Sequence, residues 1–108
     1  MNGPEKLALR FGMASEAGPE DALLLEGRGA DAPGQAWFTV PATGHAIGCA
    51  CCLPRNEAGR ALGRLLLARA RGEGPFFRNV VVVVRTEAGR AAVEDALRRD
   101  PIAVAWFK

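Results

Sequence analysis

Three cysteines and a histidine are clustered in residues 45–52 of this chain, which read His-Ala-Ile-Gly-Cys-Ala-Cys-Cys. The cysteines are Cys49, Cys51 and Cys52, and the chain has no others. Thiolate sulfur is a ligand that soft and borderline cations such as zinc and copper(I) prefer. We therefore expect the three cysteines to bind a metal ion, zinc in the first place, with Cu⁺, Co²⁺ and Ni²⁺ as alternatives.

Three thiolates leave one position of a tetrahedral zinc site open. His45 is one candidate for it, and water, a substrate, a partner's side chain or Glu57 are others. Two further interpretations stay open. The cysteines can be small core residues, since free cysteine is often buried, or Cys51 and Cys52 can act as a redox pair.

The 108 residues are 49% apolar and carry a formal net charge of +2, which is typical of one globular domain. No apolar run approaches the roughly 18 residues of a membrane span, and no signal peptide is visible. We therefore expect a cytoplasmic protein that binds a metal ion and either a protein partner or a second copy. Neither nucleic acid nor membrane is an expected partner.

The chain divides near residue 35 into a variable N-terminal part and a more regular core. Residues 6–11 alternate between apolar and polar side chains and predict a strand. Residues 22–26 predict a second strand or a short helical turn, and residues 27–34 predict a turn-rich linker. We expect these N-terminal strands to lie at one edge of the sheet.

The core, residues 35–108, predicts alternating strands and helices around the cysteine loop. Strands are expected at 36–40, at the five valines 80–84 and at 102–107, with the valines in the sheet centre. Helices are expected at 56–71 and 87–99, capped by Asn56 and Thr86. The predicted fold is a single α/β domain over residues 1–108, with a small, mainly parallel sheet and a βαβαβ core.

The cysteine loop and its surroundings resemble a known family. The run is Gly48-Cys49-Ala50-Cys51-Cys52-Leu53-Pro54-Arg55, and a leucine-rich helix follows it. This arrangement is similar to that of the CobW-type GTPases, metallochaperone relatives of the urease and hydrogenase maturation GTPases. The resemblance covers roughly residues 45–101 and implies that the three cysteines bind zinc or a related divalent metal.

The chain also departs from that family. It has no P-loop and no guanine-reading segment, its only lysines are Lys6 and Lys108, and Arg85 stands where an acid is expected after the apolar strand. We therefore expect a P-loop-less, non-enzymatic relative that serves metal homeostasis or delivery. A regulatory module that dimerises or binds a partner GTPase through the loop is the second hypothesis, and a thiol redox protein is the third.

Overall fold

The computed structural model describes residues 6–29, 32–40 and 56–108, which form one four-stranded sheet with three α-helices packed on one face. The strands are β1 (Ala8–Phe11), β2 (Asp21–Glu26), β3 (Gln35–Phe38) and β4 (Asn79–Val83). The helices are α1 (Glu57–Arg71), α2 (Glu87–Arg99) and α3 (Pro101–Trp106), and a short 3-10 helix spans Ala14–Glu16.

The strands lie in the order β1-β4-β2-β3, and every pair is parallel. Val82 of β4 stands beside Phe11 of β1 on one side and Leu24 of β2 on the other. The valine-rich strand is therefore paired along both edges, which removes the aggregation risk of an exposed apolar strand. The predicted α/β class with a small, mainly parallel sheet is confirmed.

The two faces of the sheet are covered differently. Side chains alternate along each strand, and one set packs under the helices to form the core. On the opposite face, Val81 is fully buried because the 3-10 helix packs over β4. Leu25 and Trp37 on that face are half-buried, and Gly29 of the β2–β3 connection lies against them.

Helices α1 and α2 begin at the predicted capping residues. The Asn56 side chain accepts a hydrogen bond from the Gly59 N–H at 2.8 Å, and Thr86 does the same for Gly89 at 2.9 Å. Gly72 ends α1 in the left-handed conformation, at φ 71°. Within the described ranges, no helix has the length and apolar character needed to cross a membrane.

The predicted last strand, residues 102–107, is wrong: most of it is helix α3. The Asp100 carboxylate accepts hydrogen bonds from the N–H groups of Ile102 and Ala103, at 3.0 and 3.1 Å, and Pro101 fills the first helical turn. The predicted βαβαβ core is thus βαβαα. Only Phe107 retains strand character, as an isolated parallel bridge to Leu7.

The predicted position of the N-terminal strands is correct for β1 and wrong for β2. Strand β1 lies at one edge of the described sheet, whereas β2 is inserted between β4 and β3. Leu24 at the middle of β2 is fully buried, which matches a strand paired on both sides.

Candidate functional site

The predicted metal ligands Cys49, Cys51, Cys52 and His45 all fall in residues 41–55, which lie outside the described residues. The flanking residues are described, and both belong to one end of the sheet. Val40 follows the carboxyl end of β3, and Asn56 begins α1. In parallel α/β proteins generally, ligands bind at the carboxyl ends of the strands.

Asn56 anchors the point at which the chain leaves the cysteine segment. Besides capping α1, its side-chain amide donates a hydrogen bond to the Ala92 carbonyl of α2 at 2.9 Å. This contact fixes the start of α1 against a second helix. The residue that follows the cysteine segment is therefore hydrogen-bonded to both α1 and α2.

Glu57 is the one proposed ligand that the structure describes. It lies on the first turn of α1, where its carboxylate is 3.8 Å from an Arg60 guanidinium nitrogen, and both side chains are about half exposed. Such a surface pair contributes little to stability, roughly 0–1 kcal/mol, so it does not hold the carboxylate in one position. Across the described ranges there is no group of three or more His, Cys, Asp or Glu residues placed to hold a metal.

An open groove of about 700 Å³ runs between β3 and α1, and Glu57 is one of the residues that line it. Arg64 of α1 bridges its walls by donating a hydrogen bond to the Trp37 carbonyl at 2.9 Å. That carbonyl belongs to β3, the last strand in the order of the described sheet. Arg64 therefore occupies one backbone acceptor of β3 and joins that strand to α1.

Glu26, the last residue of β2, is an acidic side chain with several hydrogen-bond donors at the carboxyl edge. It is only 9% exposed, and three donors converge on its carboxylate. They are the Arg85 N–H at 2.5 Å, the Thr86 N–H at 2.9 Å and the Thr86 hydroxyl at 2.7 Å. A methyl group at Gly89 would overlap the same carboxylate, so a larger residue there would displace it.

Burial by itself raises the pKa of Glu26, but its hydrogen bonds outweigh that effect. Donation from the Thr86 side chain and from the backbone of Arg85 and Thr86, together with the Arg85 charge, holds the pKa below its ordinary value. The carboxylate is therefore charged at neutral pH and lies at the positive end of α2. In this chain an internal side chain takes the place that a bound anion occupies at many helix N-termini.

Sequence reasoning did not identify Glu26. The available signal was an acid at the carboxyl end of an otherwise apolar strand, but its partners depend on β2 pairing with β4. Asp100 is a second acidic side chain with a structural role, and it is 2% exposed. Its carboxyl group caps α3 and contacts Gly59 of α1, where a Cβ would overlap it.

Comparisons with protein-family models, with curated proteins and with solved structures find no match to this chain. The relation to CobW-type GTPases accordingly stays a prediction from the cysteine run and the order of the elements.

Proposed function

We propose that this chain is a non-enzymatic, cytoplasmic metal-binding protein that holds zinc through Cys49, Cys51 and Cys52 for metal homeostasis or delivery. The observation that supports this most strongly is the Cys-x-Cys-Cys run itself, placed between the carboxyl end of β3 and the start of α1. Thiolates in that number and spacing suit zinc, and one open position suits transfer of the ion to a recipient.

The anchoring of the segment supports the same proposal. Transfer of a metal ion between proteins requires ligands that are accessible but attached to a stable frame. Asn56 provides such an attachment through its contacts to α1 and α2. His45 and Glu57 are the candidate fourth ligands within this chain. A P-loop-less relative of the CobW-type GTPases is the family proposal that goes with this function.

Metal content and free thiols of the purified, reduced protein test the proposal. We expect about one zinc per chain, lost in Cys51→Ser and retained in Ser15→Ala, which removes a hydroxyl outside the cluster. Metal-free protein with a reversible disulfide between Cys51 and Cys52 would contradict the proposal and favour redox chemistry. Sedimentation with and without zinc shows whether metal binding also joins two copies.

A further inference from the structure

A second candidate site lies at the opposite, amino-terminal edge of the sheet, at the connection from α1 to β4. Arg69 near the end of α1 places its guanidinium carbon 3.6 Å from the Phe76 ring centre and 5.4 Å from that of Phe77. Its Nε–H donates to the Phe77 carbonyl at 2.8 Å. The stem of Arg69 is thus held in place, and the two terminal nitrogens of its planar group carry four further N–H donors.

The neighbouring charge is also positive. Burial, and after it the charge of Arg78, lowers the pKa of Arg69 from its ordinary value. In the part of the chain that the structure describes, no carboxylate forms an ion pair with either arginine, whereas Arg71 pairs with Glu73 and Arg90 with Glu94. Two like charges, one of them held in a fixed orientation, are therefore available to an incoming oxyanion.

Phe76 adds an apolar contact next to these charges. Phe76 is 64% exposed, although phenylalanine side chains are most often buried in the core. Phe77 beside it is fully buried, so the loop directs one ring inward and the other outward. The stacked Arg69 rigidifies the outward ring, which reduces the entropy that a binding partner must remove.

We propose that Arg69, Phe76 and Arg78 form a docking surface for an acidic protein segment that carries a carboxylate next to an apolar side chain. The carboxylate accepts hydrogen bonds from the guanidinium groups, and the apolar side chain covers Phe76. This proposal does not depend on the metal site.

The charges around the patch favour a peptide over nucleic acid. Glu20 adjoins Arg78, whose N–H donates to the Glu20 carbonyl at 3.1 Å, and Asp21 accepts a hydrogen bond from Asn79 at 3.2 Å. Nucleic acid is bound by extended basic surfaces that neutralise several phosphates. Two arginines provide too few charges for that, but they suit a single carboxylate.

The test is a titration of the ¹⁵N-labelled full chain with a short peptide that carries one glutamate between two leucines. The same peptide with glutamine in place of glutamate is the matched control. We expect the Arg69 Nε–H and the amides of residues 76–79 to shift with the glutamate peptide only, and less at high salt. Equal shifts with both peptides, or none with either, would overturn the proposal.

Two surface variants and one control variant locate the binding. Arg78→Gln and Phe76→Ala should each weaken the glutamate peptide about fivefold, the effect of losing roughly 1 kcal/mol. Arg98→Gln removes an exposed arginine of α2 that pairs with Asp95 at 3.9 Å and should change nothing. An equal loss in Arg78→Gln and Arg98→Gln would attribute the effect to net charge, and no loss in Phe76→Ala would exclude the apolar contact; either result would contradict the proposal.

The other possible occupants are tested with the same variants. Oligothymidylate that binds more tightly than the glutamate peptide and is weakened by Arg78→Gln would identify nucleic acid as the partner class, against the proposal. Dimerisation that Arg78→Gln abolishes would identify a second copy as the occupant, which also contradicts it.

Discussion

At the scale of single residues, Glu26 shows how a buried charge is tolerated in this small fold. Moving a carboxylate out of water is costly unless its oxygens are hydrogen-bonded. Three donors from Arg85 and Thr86 provide that compensation and connect the end of β2 to the start of α2. The same residue therefore stabilises the strand order and the position of a helix.

Glu26→Gln should lower the free energy of unfolding by about 1–3 kcal/mol, the range for hydrogen bonds to a charged group. The neutral glutamine amide has only one acceptor oxygen. Its NH₂ group would face the donors of Arg85 and Thr86, with which it cannot form hydrogen bonds as an acceptor. Urea denaturation at pH 7 measures the change. Glu94→Gln, which removes an exposed partner of Arg90, is the control and should cost less than about 0.5 kcal/mol. Equal costs would refute the assignment.

The contribution of Glu26 should depend on pH in a defined direction. Its pKa in the folded chain lies below the ordinary value of 4.5, so the folded protein binds this proton less readily than the unfolded chain does. The stabilisation is therefore complete well above pH 4.5 and is lost as the pH falls through the folded-state pKa. The stability gap between the parent and Glu26→Gln should narrow on acidification, and a gap that widens would contradict the account.

At the scale of elements, local signals predicted the helices and misread the end of the chain. Asn56 and Thr86 mark helix starts because their side chains satisfy free N–H groups, a purely local effect. Residues 102–107 contain the apolar and β-branched side chains typical of a strand. Asp100 and Pro101, however, form a helix start, because proline fits the first turn as readily as it ends a preceding helix.

Asp100→Ala should destabilise the protein by about 1–2 kcal/mol, because it removes the side-chain acceptor for the N–H groups of Ile102 and Ala103. Asp100→Asn keeps an acceptor oxygen and should cost less. Thermal unfolding gives the stabilities, and amide hydrogen exchange across residues 101–106 reports the local effect. Unchanged exchange in Asp100→Ala would show that the cap does not hold α3.

At the scale of the whole molecule, the last described residues complete the sheet beside its first strand. The Leu7 N–H donates to the Trp106 carbonyl at 2.8 Å, and the N–H of Lys108 donates to the Leu7 carbonyl at 3.0 Å. Phe107 stands between Trp106 and Lys108 in the sequence. It is 3% exposed and packs in the core. Hydrogen bonds and the burial of Phe107 thus hold the two ends of the described chain together.

Phe107→Ala should cost about 3–4 kcal/mol, since a buried ring is replaced by a cavity. Phe76→Ala removes an identical side chain that is 64% exposed and should cost less than about 1 kcal/mol. Denaturant unfolding of both variants makes the comparison. Similar costs would mean that Phe107 is not part of the core.

The arrangement of the strands is the part of the fold that the sequence could not supply. The valine run predicts a strand buried on both faces, and β4 is one, but no local pattern shows that β2 lies beside it. The neighbours of Glu26 depend on that pairing and were missed for this reason. The metal site differs: its evidence is the type and spacing of Cys49, Cys51 and Cys52, which lie outside the described residues.

X-ray absorption at the zinc edge of the reduced, zinc-loaded protein tests the metal proposal most directly, because it counts the atoms bound to the ion. We predict three sulfur ligands at about 2.3 Å and one lighter ligand, and no bound zinc in Cys51→Ser. A spectrum of nitrogen and oxygen ligands alone, unchanged by Cys51→Ser, would contradict the account.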